Sequence, residues 1–353
     1  MKKKILFLIN GEGLGNSTRC YAIIERLLNF DVKLYSVLSK NSSWFFSKID
    51  CFTKRYDVDQ ISYSFDEEGK LNTFKSLINI FNSIKIYNKN INFLKKIINE
   101  IKPDKIITDS VYVFSFIKKF QIPIISINNS CLTIRDSKNI KNLPKSIKSH
   151  LYFIEYLDYY YHTIFPDLTL SCGLTKKEED KFKNCLQISP ITRSNLKILN
   201  KKSGKCLVML SGGLELNKKI DLSFIEEEVI FVNANSNIIL NKKSSQILPK
   251  IANNIDILNQ VDFSIINSGY SAITESICFN KPVISVPIEN HAEQWLNAKK
   301  LNDECFGLIS TFDNLKKDYL KFKNNFDQYL NNTSKLKNIP NGSDEAANII
   351  LKF

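Results

Sequence analysis

The sequence predicts a doubly wound α/β protein in two halves, and three observations lead there. Short apolar runs that read as fully buried strands alternate with segments of helical period, the pattern of parallel sheets covered on both faces. The alternation restarts near residue 205, after a polar stretch. At 353 residues, and about 100–200 residues per domain, the chain has room for two domains that each bury a core.

The first half opens with a strand over residues 4–9, a glycine-rich turn and a helix over 17–28. Further strands fit residues 32–38, 105–108, 123–127 and 168–171. Between them Leu77, Phe81, Ile84, Ile91, Leu94, Ile98 and Ile101 recur at steps of three, four or seven, which predicts one long or two stacked amphipathic helices over 72–101. Ser189-Pro190-Ile191-Thr192 reads as an irregular connection and 195–204 as a linker. The second half starts with a strand over 206–210 and the tight turn Ser211-Gly212-Gly213, continues with strands over 229–233, 262–266 and 282–286, and places helices over 271–279 and 292–301. Pro340-Asn341-Gly342 breaks the chain before a helix over 344–351. The expected architecture is two Rossmann-like domains, 1–194 and 205–340, facing across a cleft, with 341–353 packing back on the first.

Composition narrows the function. Lys and Arg number 49 against 36 acidic residues, a formal charge of +13, but only Arg19, Arg26, Arg55, Arg135 and Arg193 are arginines. A dedicated nucleic-acid binder is expected to carry more, so no nucleic-acid partner is expected. The charge does favour an acidic bilayer or glycan. No run of ~18 apolar residues is present, so no spanning helix is expected. The apolar run 5–9 falls short of the ~7–15 residues of a signal peptide. Eight cysteines without a CxxC pair, and three histidines, predict reduced thiols in a cytoplasm and no metal site.

Two segments carry chemistry. Gly11-Glu12-Gly13-Leu14-Gly15-Asn16 joins the first strand to the first helix. Glycines let backbone approach a ligand, and a helix start offers N–H groups and a positive dipole end. A dinucleotide site would need Gly at position 16 and an acidic residue ending the second strand; the chain has Asn16 and Val37-Leu38-Ser39. A polar ligand other than NAD is therefore expected, the alternative being a turn that needs glycine for geometry alone. The second segment is Asn267-Ser268-Gly269-Tyr270-Ser271-Ala272-Ile273-Thr274-Glu275, followed by His291-Ala292-Glu293-Gln294. Ser268 to Ser271 form a strand-to-helix turn whose amides suit a phosphate. Glu275, a turn inside, suits the two hydroxyls of a ribose, and Glu293 with Gln294 suits sugar hydroxyls.

With these residues in view, the sequence resembles the GT-B nucleotide-sugar glycosyltransferases, most nearly the MurG-type (family 28) lipid-linked N-acetylglucosaminyltransferases. The resemblance implies that Ser268, Gly269, Tyr270, Ser271 and Glu275 bind the diphosphate and ribose of a UDP-sugar, that Glu293 and Gln294 contact its sugar, and that His291 lines the pocket. Weaker matches add Gly212 and Gly213 at the turn opening the donor domain, Arg193 between domains, and Gly11, Gly13, Gly15 and Asn16 as the acceptor-side loop. It implies an inverting transfer from a nucleotide-sugar donor to a hydroxyl acceptor, in envelope or surface-glycan synthesis, on a cytoplasmic protein that can sit peripherally on the inner membrane face. No cofactor or metal ion is expected, since the only Asp-x-Asp, Asp57-Val58-Asp59, reads as a peripheral strand.

One departure matters. Relatives carry His where this chain has Asn16, and an amide is no base at neutral pH. Glu12 and Asp109 are the replacement candidates for the catalytic base, Asp109 competing with a role as helix N-cap. Residues 142–165 mix Leu143, Ile147, Leu151, Ile154, Leu157 and Tyr159-Tyr160-Tyr161 with Lys141, Lys145 and Lys148. They suit either a core helix, the expected role, or one lying on an anionic membrane near a lipid-linked acceptor. Two other functions share this architecture: a nucleotide-sugar 2-epimerase, which the scarcity of histidine disfavours, and a degenerate partner protein that kept the donor site but lost its base.

Overall fold

The structure is a computed structural model that describes residues 2–60, 62–66, 69–112, 117–175, 184–193, 202–210, 220–232, 238–241 and 244–353. The chain divides into two compact units. Unit 1 comprises Met1–Ser64, Asn72–Arg193 and Pro340–Phe353, and unit 2 comprises Phe65–Leu71 and Ser194–Ile339.

Unit 1 is built on a seven-stranded parallel sheet. Its strands are β1 (Lys3–Ile9), β2 (Val32–Leu38), β3 (Lys54–Asp57), β4 (Lys105–Asp109), β5 (Ile124–Ile127), β6 (Leu168–Cys172) and β7 (Cys185–Ile188), in the order β3-β2-β1-β4-β5-β6-β7. The order reverses between β1 and β4, which pair in register from Ile5 with Lys105 to Ile9 with Asp109. Continuous burial of Ile5–Ile9 explains why β1 reads as an unbroken apolar run.

The helices of unit 1 are α1 (Gly15–Leu27), α2 (Lys40–Phe46), α3 (Thr73–Asn82), α4 (Ile84–Ile101), α5 (Ser130–Lys138), α6 (Lys145–His150), a π-turn (Leu151–Glu155) and α7 (Tyr156–Ile164). Residues 72–101 are thus two helices broken at Ser83. Leu94, Ile97, Ile98 and Ile101 of α4 pack on Leu6, Leu8, Ile106 and Ile124 of the sheet. The segment 142–165, expected in the core, enters it by one face only: Leu151, Ile154 and Tyr161 are buried while Tyr152, Phe153, Leu157, Tyr160 and Ile164 are exposed.

The last helix of the chain, α13 (Gly342–Lys352), belongs to unit 1. Its start interlocks with the connection after β7. Asn341 accepts from Thr192 N–H (3.2 Å) and donates to Thr192 O (3.0 Å), Glu345 accepts from Ser189 Oγ (2.7 Å), and Asp344 pairs with Arg26 of α1 (2.7 Å). The chain is also stapled where reduced thiols were expected, since Cys131 of α5 and Cys185 of β7 form a disulfide. A spacing of 54 residues carries no pairing signal, because tertiary packing alone brings the two together.

Unit 2 holds a six-stranded parallel sheet in the order β12-β10-β8-β13-β14-β15, and a two-stranded ribbon of β9 (Ile220–Asp221) and β11 (Ile238–Ile239). The six are β8 (Lys205–Met209), β10 (Glu228–Val232), β12 (Gln246–Leu248), β13 (Phe263–Ile266), β14 (Val283–Ser285) and β15 (Gly307–Ile309). Alternate residues feed two cores, as the two-residue period of a strand demands. Cys206, Val208, Val229 and Phe231 meet Phe263, Tyr319 and Phe322 on one face; Leu207, Ile230 and Val232 meet Ile255, Leu258 and Phe279 on the other. The helices are α8 (Ile255–Gln260), α9 (Tyr270–Cys278), α10 (Ala292–Asp303), α11 (Leu315–Asn324) and α12 (Phe326–Ser334). No helix among the described residues is long and apolar enough to cross a membrane.

Candidate functional site

In open parallel sheets ligands bind beyond the carboxyl ends of the strands where the order reverses. Unit 1 places the loop Gly11–Gly15 there, after β1 and beside Asp109 of β4. A Cβ on Gly11 would lie 1.8 Å from Ser39 O, and its N–H donates to Ser39 Oγ (3.1 Å). Gly11 therefore serves a backbone approach to the start of α2, the geometric role. Gly13 faces open space, its hypothetical Cβ meeting nothing nearer than Gly15 N at 4.0 Å. The N-cap residue of α1 is Leu14, whose side chain offers no cap.

Glu12 is held in this loop by three contacts, one of them from Asn41 Nδ2 to its carbonyl (3.0 Å). Its N–H donates to Asn10 Oδ1 (3.1 Å), and its Oε1 accepts from Tyr63 N–H (2.6 Å). Burial pushes its carboxyl up to about 7, with the Tyr63 N–H and the Lys40 charge pulling the other way. A carboxylate titrating there is matched to proton abstraction near neutral pH. Asn16 donates weakly to Asn10 O and accepts from Arg19 Nη2, both at 3.4 Å.

Asp109, at the end of β4, is locked inside unit 1. It has no exposed surface, and Arg19 grips it through Nε–H to Oδ2 (3.0 Å) and Nη2–H to Oδ1 (2.6 Å). Cys20 Sγ also donates to Oδ2 (3.4 Å), and burial beside that carboxylate raises the Cys20 thiol far above its ordinary value. A buried carboxylate with an arginine partner 90 residues away in the chain leaves no trace in local sequence.

Sequence reasoning missed a second acid–base pair in this unit. His150 Nδ1 stands 3.3 Å from Glu155 Oε1, both residues buried. An α-helix aligns residues three or four apart, whereas the π-turn Leu151–Glu155 brings a five-residue spacing onto one face. Tyr63, whose N–H holds Glu12, packs its ring edge-on against His150 at 5.9 Å. Of the Asp-x-Asp residues, Asp57 ends the edge strand β3 and Asp59 pairs with Lys89 (2.6 Å). Arg193, at the end of unit 1, is buried.

In unit 2 the order reverses between β8 and β13. Asn267 ties the two strand ends together, its N–H donating to Met209 O and its Nδ2 to Leu210 O, both at 3.0 Å. Ser268 is fully buried, its Oγ 2.7 Å from Ser285 Oγ and its carbonyl accepting from Asn297 Nδ2 (3.2 Å). Gly269 is the N-cap of α9 and brings no side chain to it, and a Cβ there would meet no atom of the described residues beyond its chain neighbours within 4 Å. A fixed strand end and a helix start whose N-cap residue is a glycine suit an anionic group.

Other residues of this segment are buried. Tyr270, Ser271 and Glu275 are 5%, 7% and 2% exposed. Burial beside Glu275 pushes the Cys278 thiol up to about 12. His291 starts α10, its carbonyl accepting from Trp295 N–H (3.0 Å). Burial lowers its imidazole to about 4, so it is neutral at pH 7 and offers no positive charge to a diphosphate. Glu293 lies in the first turn of α10, and Gln294 Oε1 accepts from Ile288 N–H (3.0 Å). That contact turns the carboxamide inward toward the loop before the helix. Gly212 and Gly213 lie outside the described residues.

The loop before α10 has a support no motif announces. Phe65–Leu71, contributed from the middle of the first half of the chain, belongs to unit 2. Leu71 N–H donates to Glu289 O (3.1 Å), Asn290 Nδ2 donates to Leu71 O (3.3 Å), and Lys70 pairs with Glu289 (3.1 Å). Asn290 is left-handed at φ +66°, a conformation Asn tolerates better than most residues.

The family described as Glycosyl transferase family 1 matches residues 3–326. An uncharacterized glycosyltransferase of Methanosarcina acetivorans is 25% identical over 335 residues, 88% of this chain and 86% of its own, and one of Methanosarcina mazei is 23% identical with the same coverage. Among solved structures, TcCGT1 in complex with UDP superposes with a TM-score of 0.69 at 15% identity, covering 99% of this chain and 98% of its own. Phytolacca americana UGT2, complexed with UDP-2-fluoroglucose and pterostilbene, gives 0.67 at 13% identity with full coverage of both chains. The Streptomyces glycosyltransferase SsfS6, complexed with thymidine diphosphate, gives 0.65 at 13%, covering 99% of this chain and all of its own.

Proposed function

The chain belongs to glycosyl transferase family 1 and is a glycosyltransferase of the GT-B fold; from that premise we propose that it transfers a sugar, with inversion, from a UDP-sugar to a hydroxyl acceptor carried on a lipid. The observation that carries the donor assignment is the strand-to-helix turn at Gly269, where the N-cap residue brings no side chain and a Cβ would stay clear of the described residues. UDP bound to TcCGT1, UDP-2-fluoroglucose bound to the Phytolacca enzyme and thymidine diphosphate bound to SsfS6 support a pyrimidine nucleoside diphosphate as the carrier, and the choice of uridine rests on the resemblance. An envelope or surface-glycan role rests on the resemblance carried by Ser268–Gln294.

In this reading the Glu12 carboxylate takes the proton of the acceptor hydroxyl. The oxygen attacks the anomeric carbon from the side opposite the diphosphate, and the sugar–phosphate bond breaks. The charge growing on the departing UDP is met by the N–H groups and dipole at the start of α9. No metal ion is assigned a part, since Asp59 is already paired with Lys89.

The test is thermal stabilisation of the whole protein by UDP, GDP, CMP and NAD, with Glu275→Ala alongside. A ligand confined to the folded state adds RT ln(1 + [L]/Kd), about 2.7 kcal/mol at ~100-fold saturation. Stabilisation by UDP, lost in Glu275→Ala, supports the donor site. No response to any nucleotide overturns it.

A further inference from the structure

We infer that the segment Phe65–Leu71 is a positioning element for donor selection: it fixes the loop before α10 and, through that loop, orients the Gln294 carboxamide that reads the sugar of the nucleotide-sugar. The inference rests on the donor site proposed above and adds to it an element from the other half of the chain. The segment is a hairpin whose shape is set by its own bonds. Phe65 and Leu71 form an antiparallel bridge. Asp66 N–H donates to Lys70 O (3.0 Å), Gly69 N–H to Asp66 O (3.0 Å) and Lys70 N–H to Asp66 Oδ1 (2.8 Å). Gly69 takes φ +79°, a left-handed turn conformation that glycine enters without a Cβ penalty. Leu71 is buried.

The loop it supports stands where a ligand is expected. Residues 286–291 join β14 to α10, and Val286 N–H still donates to Ile266 O at the end of β13 (2.8 Å), so the rest of the loop lies beyond the carboxyl ends of these strands. The hairpin ties the middle of this loop three times, through Leu71 N–H to Glu289 O, Asn290 Nδ2 to Leu71 O and Lys70 to Glu289. Immediately before the tied residues, Ile288 N–H donates to Gln294 Oε1 (3.0 Å). The carboxamide is thus oriented by a backbone group whose own place depends on the hairpin. With Oε1 turned to Ile288, Nε2 is the end left to donate, and a donor there reads the lone pairs of a sugar hydroxyl.

Discrimination needs this support. Loops with few bonds to the body of a protein open locally at low cost, and a polar group selects a ligand only when its surroundings hold it in place. A held hydrogen bond rejects a sugar whose hydroxyl points the wrong way far more strongly than an apolar contact could. The Lys70–Glu289 pair is exposed and contributes little energy alone, so the backbone bond of Leu71 and the Asn290 side chain carry most of the support. The diphosphate is assigned to the start of α9, which the hairpin does not touch through these bonds. The hairpin should therefore act on the sugar and leave the nucleotide alone.

The experiment titrates the full chain with UDP, UDP-glucose, UDP-galactose and UDP-N-acetylglucosamine, and follows hydrogen exchange of the unliganded protein. Asn290→Asp keeps a residue that tolerates the left-handed conformation but sets a carboxylate against Leu71 O. Lys70→Glu sets like charges together, and Lys70→Glu with Glu289→Lys restores the pair. The wild type should prefer one of the three sugars by about tenfold or more. Asn290→Asp should keep its UDP affinity within about twofold while that preference falls to about threefold or less, and residues 286–296 should exchange faster while α9 does not. Lys70→Glu should weaken the preference and the exchanged pair recover it. Parallel loss of UDP and UDP-sugar affinity would make the hairpin merely structural and overturns the inference, as does an unchanged sugar preference or unchanged exchange at residues 286–296 in Asn290→Asp. A wild type that binds UDP but treats the three sugars alike overturns the sugar reading and leaves the donor site standing. A wild type that binds no nucleotide overturns the donor site itself, and the exchange data still decide whether the hairpin holds the loop.

Discussion

Arg19 and Asp109 are locked together inside unit 1, Nη2 to Oδ1 at 2.6 Å and Nε to Oδ2 at 3.0 Å, with almost no surface on either side chain. The pair ties the second turn of α1 to the end of β4 and so holds the glycine loop against the sheet. Its value lies in mutual neutralisation, since either charge alone would be buried without compensation. Burial works against the Arg19 charge, but Asp109 outweighs it and raises the guanidinium further above its already high value.

Breaking this pair is expected to act on stability. Asp109→Asn leaves a buried guanidinium unneutralised and should cost about 3–5 kcal/mol, read as a lowered midpoint in urea. The same loss should appear in Arg19→Met. A residual Asp109→Asn activity with the wild-type pH profile would confirm that Asp109 is no base. A folded, fully stable Asp109→Asn protein without activity would return it to the candidates.

Glu12 should set both the pH dependence of activity and part of that of stability, in opposite senses. Its folded value, about 7, stands above the ordinary 4.5. Between these values the folded state holds a proton that the unfolded state has lost, so the contribution to stability is greatest below pH 4.5 and declines as pH rises through 7, by at most about 3 kcal/mol. A base must be ionised, so kcat/KM should climb tenfold per pH unit below about 7 and level off above it. Glu12→Gln, which keeps the bond from Tyr63 N–H, should lose activity by about 100-fold or more while melting higher at pH 8 than the wild type. A Glu12→Gln enzyme with an unchanged profile would point instead to the His150–Glu155 pair.

The elements that position the site were legible because each is a local pattern. The β1 strand is an unbroken apolar run, the Gly11–Gly15 turn follows it directly, and Ser268-Gly269 joins β13 to α9 within a few residues. What the sequence concealed is non-local or depends on an irregular turn. Arg19 meets Asp109 across 90 residues, Leu71 meets Glu289 across more than half the chain, and Cys131 meets Cys185 through packing. His150 and Glu155 share a face only because the helix widens by one residue, and nothing in helical periodicity announces a π-turn. The outward stripe of α7 was hidden for another reason: a helix with apolar residues on both faces has the same composition whether it is buried or lies on a membrane.

Gly342 should be intolerant of any side chain. A Cβ there would fall 1.9 Å from Ser189 O, while Gly342 N–H donates to Pro190 O (2.8 Å). Gly342→Ala must push α13 away from the segment Ser189–Thr192 and disturb the Glu345 and Asn341 contacts. A loss of about 2 kcal/mol or more in urea denaturation is expected, and a neutral effect would mean that α13 docks more loosely than the close approach implies.

Gly269 poses the opposite case, and the contrast between the two glycines separates packing from ligand binding. Its φ of −65° and ψ of 135° suit any residue, and a methyl group at this position meets no atom of the described residues beyond its chain neighbours within 4 Å. Gly269→Ala should therefore cost only the loss of a preferred N-cap residue, about 0.5–1 kcal/mol. The methyl would nevertheless occupy the space above the α9 amides where the proposed donor places its diphosphate. UDP affinity should fall at least about tenfold, so at ~100-fold saturation of the wild type the ligand-induced stabilisation should drop by about 1.4 kcal/mol. Because the protein without ligand is nearly unaffected, a weakened UDP response can be assigned to the lost space and not to damage of the fold. An unchanged response would place the phosphates away from the start of α9 and leave Glu293 and Gln294 of α10 as the residues from which to relocate the donor.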